Sequence, residues 1–391
     1  YHVLTMTNGM ARHPIMDAEW LKNYLAEPVV AEPGTEFLYN SSGSCLLGAI
    51  VKKKTGKGMR EFLKEFLFDK IGIDGERFQI FRFPDGYDAE PGTASVTEDN
   101  LRLAILFMNY GNWNGEQIIA EDWMHMAMSC QISTEPNGGT EDYRHGYGFQ
   151  LWNSAIPGVY RFDGGQGQYG LIWPERKIAV AIHEGAVMPE GPQITLDVLY
   201  EYLLNEMQNE PLPEDPQADA ALLEFERNLK VPEQEANTLY VPTECFSGSY
   251  VVVSGDGDPW ISVAPGGYNF FTCFYHDDKK QAFTDFTLKT DEQKCVFTVD
   301  GYAVFEAYFD GKHHPVYTDN VLPEIGWNCS YARYLDEDTL QITTKWLNGW
   351  FDDRIVMKKK GDILEMTFYK DRLTVSDNRY TIKHCTAKRQ Q

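Results

Sequence analysis

The 391-residue sequence has no apolar run approaching the ~20 residues that a bilayer-spanning helix needs, so no transmembrane segment is expected. It is also short of cations, with 35 Lys and Arg against 58 Asp and Glu, a net charge of -23. A surface that acidic repels phosphate backbones and anionic membranes, so nucleic acid is not expected as a partner and the charge serves solubility. The seven cysteines (Cys45, Cys130, Cys245, Cys273, Cys295, Cys329 and Cys385) are scattered, odd in number and never spaced Cys-x-x-Cys. That pattern argues against a disulfide scaffold or a zinc site and favours a reducing compartment. A first residue of Tyr1 rather than Met also fits an export signal lying upstream, so the compartment stays open. No Gly-x-Ser-x-Gly elbow and no internal repeat occur.

What remains is an ordinary globular composition, long enough for two cores. Residues 1–208 alternate helical and strand patterns. Helices are expected near 43–54, 59–69, 97–110 and 119–129, and strands near 148–154, 158–163, 168–173 and 177–183. The last strand, Ile178-Ala-Val-Ala-Ile182, is nearly all apolar and is expected at the centre of a sheet. A helix at 192–208, with Ile194, Leu199, Leu203 and Met207 among its apolar positions, should cover that sheet, giving an α+β domain. Residues 209–238 carry Pro211, Pro213, Pro216 and Pro232 among many Asp and Glu. They read as an acidic linker whose short helix (218–229) has a stripe of Leu222, Phe225 and Leu229 to dock. From 239 to 391 short alternating segments follow one another, among them 249–253, 269–275, 295–299, 339–344 and 363–368. They predict an antiparallel barrel or sandwich.

The most informative window is 33–56. A Pro33-Gly34 turn delivers an extended segment, and Tyr39 sits where it meets an apolar helix. Asn40, Ser41 and Ser42 are good N-cap residues, and Leu46, Leu47, Ile50 and Val51 are expected to mark the buried face. A tyrosine at such a corner either packs a gap or presents an aimed hydroxyl. This window resembles the second motif of the penicillin-binding-protein and class C β-lactamase-like serine hydrolases, Pro-Gly-x-x-Phe-x-Tyr-Ser-Asn followed by Leu-Leu-Gly and Thr-Gly. Four further stretches resemble that family in order: Leu4–Met10, Thr97–Leu101 with Asn109–Gly115, Gly146–Phe149, and Asp163–Gly170. The β-rich remainder resembles the lipocalin-like domains appended to such enzymes.

The resemblance implies an acyl-enzyme mechanism, in which a serine attacks a carbonyl, a lysine one helical turn later shares its proton, and a tyrosine completes the relay. Tyr39 matches that tyrosine. A neighbouring lysine charge would favour its phenolate. The family's asparagine two residues on, which helps hold amide substrates, is Ser41 here, with Asn40 between, which points from β-lactams toward an ester or another small acyl substrate; as a partner the resemblance implies a small-molecule or peptide-like acyl substrate. The third motif, Lys-Thr-Gly or His-x-Gly in relatives, falls on Phe162-Asp163-Gly164, followed by Gly165, Gly167 and Gln168. These residues are expected to form the pocket strand and half of an oxyanion hole. An aspartate there should disfavour a substrate carboxylate. No Ser-x-x-Lys occurs in the chain; the resemblance places it upstream of Tyr1. The chain by itself is therefore expected to be inactive and to expose a sheet edge. A non-catalytic relative that binds a peptide or cell-wall fragment is the competing reading. No cofactor is expected, and the oligomeric state is not legible.

Other motifs are weaker. Gly165-x-Gly167-x-x-Gly170 has the dinucleotide spacing but leads into a strand rather than a helix. Asp256-Gly-Asp258 lacks the remaining calcium ligands and reads as a turn. His145 reads as a loop histidine, His313-His314 lacks further ligands, and Trp346 and Trp350 read as core or sheet-face residues.

Overall fold

The computed structural model describes residues 1–12, 19–83, 86–137, 139–186, 190–255, 283–299, 303–318, 326–349, 352–371 and 380–390. Segments 256–258 and 269–275, Cys273 and Trp350 lie outside the described residues.

Helices α1 (Trp20–Ala26) and α2 (Ser41–Thr55) pack near the start of the chain. The expected buried face of α2 is not the one used. Ser42, Gly43, Cys45, Gly48 and Ala49 are buried, whereas Ile50 is 44% exposed. Small residues allow a close approach that larger ones would block, and a side chain on Gly43 would touch the Tyr24 hydroxyl of α1. The helix expected over 59–69 is α3 (Met59–Leu63), a π turn over Lys64–Phe68, and α4 (Asp69–Ile71). A hairpin of β1 (Gln79–Arg82) and β2 (Asp88–Ala94) leads to α5 (Thr97–Met108). A second hairpin, β3 (Asn112–Trp113) with β4 (Glu116–Gln117), leads to α6 (Glu121–Met128).

The sheet behind the site runs β5 (Trp152–Asn153), β6 (Tyr160–Gly164), β7 (Gln168–Trp173), β8 (Ile178–Ile182), all antiparallel. The apolar strand is not central, because among the described strands β8 pairs with β7 alone. Its composition has another cause, since both faces are covered. Ala179 packs with Ala104 of α5 and Met124 of α6, while Ile178, Val180 and Ile182 pack with Leu196, Tyr200 and Leu204. A strand packed on both faces reads as continuously apolar wherever it lies in the sheet. Helix α7 (Glu190–Leu199), extended by a π turn over Tyr200–Leu204, covers the sheet as expected but through another stripe. Leu196, Tyr200 and Leu204 are buried, and Ile194 is 59% exposed.

Helix α8 (Pro216–Asn228) forms in the linker, capped by the Asp215 carboxylate, which accepts from Gln217 N at 3.1 Å and Ala218 N at 3.0 Å, with Pro216 in the first turn. Its apolar stripe does not dock among the described residues, since Leu222, Phe225 and Leu229 are all exposed.

The remaining strands are β9 (Gly248–Gly255), β10 (Asp285–Thr290), β11 (Lys294–Val299), β12 (Ala303–Tyr308), β13 (Pro315–Tyr317), β14 (Trp327–Asp336), β15 (Thr339–Trp346), β16 (Asp352–Lys360), β17 (Ile363–Asp371) and β18 (Tyr380–Arg389). Nine of them close into a barrel, so of the two expected architectures the barrel is the one formed. Strand β18 returns to β9, and β12 meets β14 in parallel through Ala307–Ser330 and Tyr308–Tyr331. Strand β13 pairs with β14 beside that seam. The interior is filled with side chains, among them Phe286, Phe297, Phe305, Met357 and Phe368. The cavity beside Phe297, Phe305 and Trp346 holds only about 20 Å³. Trp346 is a core residue as expected, its indole N–H donating to Asp353 at 3.0 Å.

Candidate functional site

The corner at Tyr39 is built by the N-terminal segment. Gly34, at φ 92°, turns the chain back so that its N–H donates to the Thr7 carbonyl at 2.7 Å, and Leu38 N–H donates to the Met6 carbonyl at 2.9 Å. Asn40 then caps α2, its side chain accepting from Gly43 N–H at 3.4 Å and donating to the Ala11 carbonyl at 3.3 Å. Asn40 is buried and structural, while Ser41 faces the cavity. Replacing Asn40 by Ala is therefore expected to cost about 1 kcal/mol. Thermal unfolding should show a drop of roughly 2–4 °C. Ser41→Ala is expected to leave the melt unchanged, and equal effects of the two changes would contradict this division of labour.

The ring of Tyr39 stacks on Trp152 with centroids 5.9 Å apart and planes at 20°. Trp152 in turn packs edge-on to Phe37, Tyr143 and Tyr147. This aromatic block fixes one wall of a cavity of about 430 Å³. Of the residues singled out by sequence, Tyr39, Ser41, Asp163, Gly164, Gly165 and Gln168 all line it. Gly167 does not; it supplies the turn between β6 and β7 at φ 92°, packed so closely on the Glu184 carboxylate that a β-carbon would collide with it. Strand β5 pairs only with Tyr160 and Arg161, so the edge of β6 from Phe162 to Gly164 is unpaired on that side among the described strands. That edge faces the cavity, which Phe162, Asp163 and Gly164 all line.

Asp163 does not stand free in the pocket. Its carboxylate accepts from the Tyr143 hydroxyl at 3.0 Å and from Arg161 Nε at 2.7 Å. Arg161 is fully buried and reaches a second carboxylate, Asp142, at 3.5 Å, while donating to the carbonyls of Asn153 and Asp142 and to the Ser154 hydroxyl. Asp142 also accepts from the Tyr200 hydroxyl at 2.7 Å and from Gln193 Nε2 at 2.7 Å. One guanidinium thus serves two buried carboxylates, leaving the pocket wall negative. Burial raises the pKa of Asp163, and Arg161 opposes that rise. The Tyr39 hydroxyl is pushed up to about 12, first by burial and then by the negative charge of Asp163. This is the reverse of what a phenolate relay needs.

Sequence reasoning missed the residues that hold this wall. Ser44 Oγ donates to Gln150 Oε1 at 2.6 Å, and Gln150 Nε2 donates to the Leu4 carbonyl at 3.1 Å, with Gln150 in a left-handed conformation at φ 58°. Their signal was faint, because Gln150 lies next to a recognised Gly-Tyr-Gly-Phe stretch but is not itself part of it. The Asp142–Arg161 pairing has no local sequence signal at all. Among the other histidines, His145 bonds Glu141 at 3.0 Å and His313 bonds the Tyr331 hydroxyl at 2.6 Å. The Gly165–Gly170 stretch runs into strand β7 rather than a helix, as expected. No described helix is long and apolar enough to cross a membrane, and no group of three or more His, Cys, Asp or Glu among the described residues could hold a metal.

Residues 1–184 match the family model described as Beta-lactamase. Comparison with curated proteins gives no match. Among solved structures, the octameric penicillin-binding protein homologue from Pyrococcus abyssi is similar at 15% identity and a TM-score of 0.42, over 98% of this chain and 77% of that one. A penicillin binding protein from Bacillus halodurans is similar at 18% identity and a TM-score of 0.38, over 51% of this chain and 71% of that one.

Proposed function

We propose that this chain, which belongs to the beta-lactamase and penicillin-binding-protein-like family through its residues 1–184, forms the substrate-binding half of a serine hydrolase that cleaves an ester or amide through an acyl-enzyme. The observation that carries this reading is the convergence of Tyr39, Ser41, Asp163, Gly164, Gly165 and Gln168 on one cavity of about 430 Å³. Tyr39 relays the proton between nucleophile and leaving group. The Gly164–Gly165 backbone follows directly from the open edge of β6, where N–H groups can meet a developing oxyanion. Ser41 offers a hydroxyl where relatives hold an amide, and the negative wall around Asp163 disfavours a substrate carboxylate; both point to an ester or small neutral acyl substrate.

The nucleophile and its lysine are not among these residues, because the sequence holds no Ser-x-x-Lys. In this reading they precede Tyr1 in the natural protein. Their lysine would supply the cation that Tyr39 lacks here, bringing its raised pKa back toward working range. The test is to read the coding sequence upstream of Tyr1 and to treat the extended protein with a fluorophosphonate probe. Labelling is expected on a serine followed three residues later by lysine, and none on the 391-residue chain. An extended protein without that motif, or one that carries it and stays unlabelled where a known relative reacts, would favour the non-catalytic binding reading instead.

A further inference from the structure

A second and larger cavity, about 610 Å³, lies between the first domain and the barrel. It is continuous with the catalytic cleft, because Thr93, Ser95, Gln168 and His183 line both. Its walls are not uniform. At the junction they are polar, with Gln168 held by the Glu184 carbonyl. Burial lowers the pKa of His183, which favours a neutral imidazole there. At the far side they are apolar, and they come from both domains. Val96 is 38% exposed at the start of α5, and Trp327 and Leu347 of the barrel are 47% and 49% exposed. Trp327 and Leu347 are fixed relative to each other, since Leu347 N–H donates to the Trp327 carbonyl at 2.8 Å. Arg77, also on the wall, is already paired with the buried Asp99 at 2.8 Å, so it does not leave an open anion site.

We propose that this chamber is the subsite for the distal part of the acyl substrate, and that it takes an apolar ring-bearing group seated on Trp327 and Leu347. The inference rests on the hydrolase reading for the word substrate, but the binding it describes needs no nucleophile. The polar junction suits an amide or ester link passing from one cavity to the next, and the apolar ledge suits a ring at its end. The barrel, whose own interior is packed with aromatic side chains, thus acts on the substrate through its outer rim.

The test uses the 391-residue protein and two probes, N-acetyl-phenylalanine methyl ester and N-acetyl-glycine methyl ester, in calorimetric or saturation-transfer titrations. The phenylalanine ester is expected to bind about tenfold more tightly, a difference of about 1.4 kcal/mol. Trp327→Ala and Leu347→Ser, each of an exposed side chain, should erase that difference while leaving the thermal melt in place. Tyr39→Phe should preserve it. Equal affinity for the two esters, no binding of either, or a ring preference that survives both barrel substitutions would overturn the proposal. A preference lost with Tyr39→Phe but kept with Trp327→Ala would place the ring in the catalytic cleft and overturn it too. Because no turnover is measured, the outcome is separate from that of the fluorophosphonate experiment.

Discussion

Replacing Arg161 by Met is expected to destabilise the first domain by about 3–5 kcal/mol, because it leaves Asp142 and Asp163 buried without their shared cation. The side chain of Arg161 is fully buried and those of both carboxylates nearly so, so water cannot take over the lost contacts. Met fills similar volume, which keeps cavity formation out of the effect. The consequence should be a drop of roughly 10 °C in the melting of that domain. The pH dependence gives a second signature. Burial already raises the pKa of Asp163, and Arg161 is the group that opposes the rise. Without it, the folded-state pKa climbs further above the unfolded one. A carboxyl with a raised folded pKa contributes stability below its unfolded pKa and loses that contribution as pH climbs through the folded one. The deficit of the Met variant should therefore be largest at neutral pH and shrink on acidification, as Asp163 accepts a proton. Arg161→Lys is expected to fall between, since an ammonium cannot span Asp163, Asp142 and the Asn153 carbonyl at once. A variant that melts with the parent, or a deficit that widens on acidification, would show that the network carries no such load.

This network also changes how the aspartate at the third motif is understood. From sequence, Asp163 is a carboxylate pointed at the substrate. In the structure its two oxygens are committed to Tyr143 and Arg161, and it acts as a fixed element of the wall. The wall carries a net negative charge, because two carboxylates share one guanidinium. What changes is its role, which is to hold β6 against the Tyr143–Trp152 block so that the Phe162–Gly164 edge stays presented.

The elements around the site were legible where local physics decides them. The Pro33-Gly34 turn and a polar N-cap at the start of α2 each follow from a residue whose backbone preference or side chain acts within a few positions. The alternation from Gly248 onward was enough for a closed or layered β-structure, but not for choosing between them. That choice depends on β12 meeting β14, a pairing between segments with no shared pattern. Faces were harder than elements. Both α2 and α7 were placed within a few residues, yet α2 buries its small residues rather than Leu46, Leu47, Ile50 and Val51, and α7 buries Leu196, Tyr200 and Leu204 while Ile194 and Leu203 stay exposed. In α2 the neighbouring helix comes close, a side chain on Gly43 already meeting the Tyr24 hydroxyl, and in α7 the buried residues Leu196, Tyr200 and Leu204 recur every four residues, a stripe that leaves Ile194 and Leu203 outside. The strand Ile178–Ile182 shows the same limit, since burial on two faces and a central position leave the same trace in sequence. The site was legible to the extent that its residues lie on turns; Arg161, Asp142 and Gln150 act across the fold and left no motif.

In a form of the protein that carries the serine and lysine, Tyr39→Phe is expected to reduce kcat by 10²–10⁴-fold, roughly the contribution of a positioned proton carrier. Phenylalanine keeps the stack on Trp152, so the melt should stay in place and the loss should fall on the chemical step. The charge around the hydroxyl then predicts how the rate depends on pH. Burial and the Asp163 charge push the Tyr39 pKa up, so the phenolate forms only where a nearby cation pulls it back. Removing the Asp163 charge with Asp163→Asn weakens the upward push, and the alkaline rise of kcat/KM should move to lower pH. Adding charge at the same wall should move it the other way. A Phe variant that retains more than about a tenth of the rate would remove Tyr39 from the relay. A pH profile that ignores Asp163→Asn would mean that the titrating group is not this tyrosine, and the corner at 33–56 would then be what its stacking alone suggests, a packed hinge between a turn and a helix.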